Sequence, residues 1–363
     1  METFFMPVKV ISGDGCVVEN YSEFSKLGKR AVIVTGRSSA RKSGALFDIE
    51  DALNKAGVTY TLFDKIENNP SVETVLEGGV FAREFGADFI IACGGGSPLD
   101  AGKAIAAAYH GLSRKDLLGG NFSFALPIIA IPTTAGTGSE VTQYSILTDN
   151  EDETKVSIAK YDLFPKTAFL DAKYTEALGV ADTVNTAIDA LSHAVEGYLS
   201  NYSTDLSDFI ALEAIKIIGK KLPYLNGRLS KKDREDLLYA SMISGIVISQ
   251  TKTTALHKMG YPLTYYKNIP HGRANGLMFG EYLRVLERLG VKKVNDCICA
   301  MNIGGVDDFC RIMSDLMKPS GEITAAEAKS YSEGVIKHSV MNYTPGNMTV
   351  EDIEYIYTKS FNL

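Results

Sequence analysis

The sequence predicts an α/β N-terminal domain built on a mostly parallel sheet, followed by an all-α C-terminal domain. Three observations carry this reading. Short β-rich runs alternate with helix-patterned stretches through the first half. From about Tyr174 onward the strand-like runs stop and helical spacing takes over. The chain has 363 residues, too many for one ordinary domain and about right for two.

The strand runs are Arg30–Thr35 (RAVIVT), Thr59–Phe63 (TYTLF), Phe89–Cys93 (FIIAC) and Ile128–Ile131 (IIAI), each ending at Gly, Asp, Asn or Pro. Val72–Glu84 and Pro98–Tyr109 show helical spacing between them. Apolar strands alternating with helices imply parallel βαβ units with both sheet faces covered, and ligands then collect beyond the carboxyl ends of the strands. In the second half Leu206, Phe209, Ile210, Ala214, Ile217 and Ile218 recur at helical spacing, and Pro223 closes that pattern. Ser230 is placed to cap a long helix running through Leu237 to Ile248. The boundary falls near residues 172–182, giving a dinucleotide-binding domain over 1–176 and a helical metal-binding domain over 177–363. A cleft between two such domains is a common place for an active site.

Composition narrows the function. Thirty-seven Lys and Arg stand against 44 Asp and Glu, a net charge of −7 that disfavours nucleic acid and anionic membranes as partners. Five cysteines in so long a chain make no disulfide framework, so a reducing cytoplasm is expected. Met1–Gly15 has neither the basic start nor the apolar centre of a secretory signal. Leu117–Ser139 is uncharged over a length that would span a bilayer, but its prolines, glycines and threonines break any helix, leaving a short buried strand within Ala125–Ile131.

The run Phe89–Cys93, read as the third strand, leads into Gly94-Gly95-Gly96-Ser97-Pro98-Leu99-Asp100. Ser97 suits an N-cap, Pro98 the first helical position, and Asp100 the acid of a capping box. Bare glycines and a helix start offer N–H groups to an anion, and a nucleotide pyrophosphate is the natural occupant. A simple strand-to-helix turn would read the same way, and the run is not GxGxxG. A second loop, Pro132-Thr133-Thr134-Ala135-Gly136-Thr137-Gly138-Ser139-Glu140, follows the next strand with hydroxyls to bond a nucleotide or merely to face water. After Thr35 come Gly36, Arg37, Ser38 and Ser39, with Arg41 and Lys42 nearby, where an NAD-selective site would place an acid. That turn favours NADP(H) over NAD(H).

Asp189 and His193 are four apart among strong helix formers, on one face of one helix. An ordinary charge pair has the same spacing. His257 and His271 can complete a set of three imidazoles and a carboxylate, which suits Fe²⁺ or Zn²⁺ better than Mg²⁺ or Ca²⁺. His110 and His338 have no such companions. A metal beside a nicotinamide points to carbonyl/alcohol redox chemistry.

On these residues the sequence resembles the iron-containing (group III) alcohol dehydrogenases over essentially its whole length. The motifs are GGGSPLDAGKA at Gly94–Ala104, IPTTAGTGSEVT at Ile131–Thr142, DALSHAVEGYLS at Asp189–Ser200, and His257 with PHGRANG at Pro270–Gly276. It is most similar to the NADP-dependent branch of short-chain alcohol, butanol and 1,3-propanediol dehydrogenases. The resemblance implies a Rossmann-like N-terminal domain, a helical C-terminal domain, and metal ligands at Asp189, His193, His257 and His271. It implies pyrophosphate contacts at Gly95, Gly96 and Ser97, further cofactor contacts at Asn69, Thr133, Thr134, Thr137 and Lys155, and an acid near the nicotinamide at Asp100. Gly36 stands where NAD-specific members carry Asp. Tyr261 replaces a histidine that many members place four residues after the third ligand, and it either relays a proton or shapes the pocket.

The expectation is an alcohol dehydrogenase or aldehyde reductase acting with NADP(H) and Fe²⁺, or Zn²⁺ in its place, on a short-chain primary alcohol, diol or aldehyde. Its expected partners are that substrate and further copies of itself, a homodimer first, with no nucleic acid and no membrane. Dehydroquinate synthase, an NAD- and metal-dependent lyase on a sugar phosphate, shares the architecture but needs more cations than Lys155, Lys258 and Arg273 supply. A non-catalytic nucleotide-binding protein would have no use for the metal quartet.

Overall fold

Six parallel strands make the sheet of the N-terminal half in a computed structural model, which describes residues 3–318 and 323–363. The strands of the chain are β1 (Lys9–Ser12), β2 (Arg30–Gly36), β3 (Thr59–Ile66), β4 (Phe89–Gly94), β5 (Ile128–Pro132), β6 (Tyr144–Asp149), β7 (Thr154–Ala159) and β8 (Thr167–Leu170). The sheet order is β1-β8-β5-β4-β2-β3, with every pairing parallel. β6 and β7 form a separate antiparallel hairpin. Helices α1 (Cys16–Glu19), α2 (Ser22–Ser25), α3 (Ser39–Lys42), α4 (Ala45–Ala56), α5 (Val72–Phe85), α6 (Gly96–Ala108) and α7 (Arg114–Leu118) complete this half.

Alternation along the strands explains the two covered faces. Ala31, Ile33, Ile91, Cys93, Ile129 and Ile131 enter one core with Leu46, Ile49 and Leu53 of α4. Val32, Val34, Ile90, Ala92, Ile128 and Ala130 enter the other with Val75 of α5 and Leu99 and Ile105 of α6. From β2 the chain steps outward to β3, then crosses to β4 on the other side, so the order reverses between β2 and β4. That switch point opens the crevice where such sheets take ligands. Gly36 ends β2 there and Gly94 ends β4.

The glycine-rich turn therefore follows the fourth strand, because the four-residue β1 precedes the one read as first. The helix after it also starts earlier than its sequence suggests. Gly95 is the N-cap and Gly96 the first helical residue, with Leu99 N–H bonding Gly95 O at 3.3 Å. Ser97 and Asp100 are thus inside the helix, and neither the Ser97 cap nor the Asp100 capping box forms.

Contacts divide the chain into one compact unit over Phe5–Leu178 and another made chiefly of Gly179–Leu363. The second holds α8 (Val180–Leu199), α9 (Asp205–Gly219), α10 (Lys231–Thr251), α11 (Ala255–Lys267), α12 (His271–Arg288), α13 (Lys293–Met301), α14 (Val306–Met317), α15 (Ala325–Ile336) and α16 (Val350–Phe361). Among the described residues no strand follows β8, and no helix is long and apolar enough to cross a membrane. Ser230 caps α10 in a reciprocal box with Asp233, and Pro223 lies in a short 3₁₀ turn just beyond α9.

Candidate metal centre and nucleotide cradle

α8 carries Asp189, His193 and Glu196 at positions i, i+4 and i+7, one stripe of a helix whose inner half is entirely buried. His257 lies in the first turn of α11 and His271 opens α12 after Pro270. Close helix approach brings these segments together. A Cβ on Gly272 would sit 2.1 Å from the Asn185 carbonyl oxygen and 2.9 Å from Asp189 Cβ, so only glycine lets the start of α12 touch α8. Gly260 does the same between α11 and Asn275 of α12, where a Cβ would lie 2.2 Å from Asn275 Oδ1.

The result is a convergence of ligand atoms. Asp189, His257 and His271 each offer one within 4.8 Å of the others. Asp189 Oδ1 is 3.8 Å from Nε2 of both His257 and His271. His193 falls outside that group of three, with its ring stacked on His257 at 4.4 Å between centroids. His257 Nε2 is buried and has no hydrogen-bond partner among the described residues, while its Nδ1 is bonded to Glu196 Oε2. A buried imidazole nitrogen aimed at a carboxylate and a second imidazole, with no proton acceptor of its own, fits a divalent metal. The nitrogen-rich donor set fits Fe²⁺ or Zn²⁺. Tyr261 stands beside this group, its ring centroid 6.0 Å from that of His271. His338 caps a 3₁₀ turn by accepting from Val340 N–H, and His110 packs edge-on against Tyr109 and Phe124.

Two buried polar residues at this centre escaped the sequence reading. Asn275 donates from Nδ2 to Asp189 Oδ1 at 3.2 Å and lies 3.4 Å from His271 Nε2. Glu196 holds His257. The available signal was helical periodicity, since Glu196 is seven residues after Asp189 and Asn275 four after His271.

In the N-terminal unit, the predicted cofactor residues gather at the carboxyl end of β4 and β5. A Cβ on Gly95 would meet Thr134 Cγ2 at 3.2 Å, and one on Gly96 would meet Thr137 Cγ2 at 2.7 Å, so the threonine loop lies directly on the glycine turn. Thr133 N–H bonds Gly94 O at 2.9 Å. Ser97 Oγ accepts from Asn69 N–H at 3.1 Å, and Asn69 Oδ1 accepts from Lys155 Nζ at 2.6 Å. Asn69 adopts the left-handed conformation, with φ 57°. Asp100 faces inward: its carboxylate accepts from Ser139 Oγ at 2.5 Å and from Ile146 N–H at 3.0 Å. Gly36 is half-buried beside Ile66 O, and Arg37 and Ser38 are exposed in the turn entering α3.

Beneath this cradle lies Lys103, wholly buried, donating to Ser139 Oγ (2.7 Å), Thr142 Oγ1 (3.1 Å) and Tyr144 O (2.8 Å). Burial draws its ammonium down to about 8, against the pull of Asp100 and Glu140. Burial pushes the neighbouring Glu140 carboxyl up to about 7.

Comparison with known proteins follows both halves. A family model described as iron-containing alcohol dehydrogenase matches residues 7–172, and one described as the Fe-containing alcohol dehydrogenase family, C-terminal, matches residues 183–361. An NADPH-dependent butanol dehydrogenase of Clostridium saccharobutylicum is 29% identical over 352 residues, 94% of this chain and 90% of that protein. The crystal structure of an iron-containing alcohol dehydrogenase from Thermotoga maritima matches with a TM-score of 0.93 at 38% identity, covering 100% of both chains. A sulfoacetaldehyde reductase from Bifidobacterium kashiwanohense, solved with NAD⁺, matches with a TM-score of 0.88 at 28% identity over 99% of each chain.

Proposed function

This chain belongs to the iron-containing alcohol dehydrogenase family, and from that premise we propose that it interconverts a short-chain primary alcohol or diol and its aldehyde with NADP(H). The observation that carries the proposal is the buried, partnerless Nε2 of His257 facing Asp189 and His271. Asp189, His193, His257 and His271 are the residues that would hold Fe²⁺, or Zn²⁺ in its place. When bound, the metal supplies a Lewis acid for the substrate oxygen, and the nicotinamide supplies or takes the hydride.

The chain's own residues do the rest. Gly95 and Gly96 present the first-turn N–H groups and positive end of α6 to the pyrophosphate without intervening side chains. Asn69, Ser97 and Lys155, already linked to one another, place a cation and two polar groups beside it. Thr133, Thr134 and Thr137 supply hydroxyls along the same edge. Gly36 leaves out the acid that would repel a 2′-phosphate, while Arg37 and Ser38 offer that phosphate a charge and a hydroxyl. The NADPH-dependent butanol dehydrogenase supports this cofactor preference, and the reductase solved with NAD⁺ makes it a point to measure. Asp100 keeps the loop and helix in register through Ser139. Tyr261, whose ring lies near that of His271, either relays a proton through its hydroxyl or shapes the pocket. Free cysteines throughout the chain support a reducing, cytoplasmic setting, and a homodimer is the assembly we assign.

The test is a steady-state scan of two- to four-carbon aldehydes with NADPH and NADH, on enzyme loaded with Fe²⁺ or with Zn²⁺. NADPH oxidation that requires the metal supports the reading. Failure of every aldehyde with both nucleotides, or full activity in chelator, overturns it.

A further inference from the structure

Glu196 is fully buried on α8, yet its hydrogen-bond partners Thr254 and His257 lie at the start of α11. One oxygen, Oε1, accepts from Thr254 N–H at 2.9 Å, Thr254 Oγ1 at 2.7 Å and His257 N–H at 3.3 Å. Those donors are the N-cap and third residue of α11, so Glu196 caps that helix from a neighbouring one and places a negative charge at its positive end. Thr254 Oγ1 is fixed in turn by Tyr282 Oη at 2.7 Å. The other oxygen, Oε2, bonds His257 Nδ1. A carboxylate accepts and cannot donate, so the proton of this pair sits on Nδ1. Nε2, the nitrogen that Glu196 does not engage, is then the one left for a metal, and it is the atom that faces Asp189.

We propose that Glu196 is the positioning residue of the metal centre: it fixes His257 in the tautomer and orientation that leave Nε2 for a divalent metal. The proposal rests on the ligand assignment made above. Its physical content is sharpest in the isosteric change Glu196→Gln. The two backbone N–H groups at Oε1 cannot reverse, so the amide oxygen must stay with them and the NH₂ group must face His257 Nδ1. That forces Nδ1 to accept and moves the ring proton to Nε2, where it blocks the metal. The helix cap survives while the ligand is lost, which separates this role from a purely structural one. An outer carboxylate of this kind is worth about 10–100-fold in metal affinity.

The experiment measures Zn²⁺ affinity and metal content of full-length wild type, Glu196→Gln and His257→Ala, with ¹⁵N NMR of the histidine rings in the metal-free wild type. Expected are a wild-type His257 protonated on Nδ1, a Glu196→Gln variant that melts as a folded protein, and an affinity at least tenfold below wild type. A wild-type His257 with no proton on Nδ1 overturns the proposal, and that measurement does not depend on any variant folding. If Glu196→Gln binds Zn²⁺ like wild type while His257→Ala does not, the proposal fails and the ligand assignment stands. If wild type and His257→Ala bind alike, the ligand assignment itself fails and the proposal falls with it.

Discussion

Lys103 Nζ lies 2.7 Å from Ser139 Oγ, and this one contact ties the helix behind the glycine turn to the end of the threonine loop. Three acceptors on the segment from Ser139 to Tyr144 share the same ammonium, and Asp100 stands 4.0 Å away. Replacing Lys103 with Met removes the donor and the countercharge while filling similar space. The variant is expected to lose about 3–5 kcal/mol of stability, the cost of leaving a buried ionic cluster half-paired. Urea unfolding measures the loss; a midpoint within error of wild type would show that the cluster contributes nothing.

The same cluster sets a pH dependence. Glu140, facing Lys103 and near Asp100 through Ser139, is raised by burial from an ordinary 4.5 to about 7 in the fold. Between those values the folded chain holds a proton that the unfolded chain has released. Its stabilisation is therefore complete below pH 4.5 and is lost as pH rises to about 7. The difference is on the order of 3 kcal/mol. Glu140→Gln, neutral at every pH, is expected to flatten that part of the stability profile relative to wild type, as read by unfolding at closely spaced pH values.

His257→Ala removes the buried, unpartnered ring nitrogen that faces Asp189. Loss of a bound Lewis acid costs several kcal/mol of transition-state stabilisation, about 10³-fold in kcat. The residues proposed to hold the nucleotide belong to the other unit of the chain, so NADP(H) affinity is expected to stay at the wild-type value. Metal analysis, initial rates and nucleotide titration on one preparation check all three parts.

Gly272→Ala tests how the ligands are brought together. The new Cβ would overlap the Asn185 carbonyl oxygen, which lies within 2.1 Å of that position. Overpacking of this kind costs about 1–3 kcal/mol and must push His271 away from Asp189. Both a lower melting temperature and a weaker Zn²⁺ affinity are expected. A loss of stability with unchanged affinity would mean that the strain is absorbed elsewhere.

Arg37→Ala probes the cofactor preference. If the exposed guanidinium meets a 2′-phosphate, its removal raises KM for NADPH about tenfold, equivalent to about 1.4 kcal/mol, and leaves KM for NADH unchanged. Equal effects on both nucleotides would assign Arg37 to a different contact.

The central strands were legible because each is a run of Ile, Val, Ala and Phe buried on both faces, bounded by turn residues. β1 (KVIS) and β8 (TAFL) were not, since four residues show no periodicity. The β6–β7 hairpin hid in mixed polar sequence whose alternation means something only once the partner strand is known. Asp189 and His193 stood out by spacing on a helix. Glu196 did not, because a glutamate on a helix ordinarily faces water, and what distinguishes this one is burial that arises only when other helices cover α8 and the start of α11 reaches it. Asp100 misled for the opposite reason: its local sequence fits a cap, and packing against Ser139 and Ile146 overrides it.

Asp189, His257 and His271 come from helices α8, α11 and α12, and Gly272 permits the contact between the first and last of these. Such a constellation exists only in the assembled chain. Any cation it captures is withdrawn from the unfolding equilibrium, and each hundredfold excess over the dissociation constant adds about 2.7 kcal/mol by mass action. The heat tolerance of this protein is then a property of the medium as much as of the polypeptide: purification in chelator should yield a softer molecule, and replenishment should harden it again.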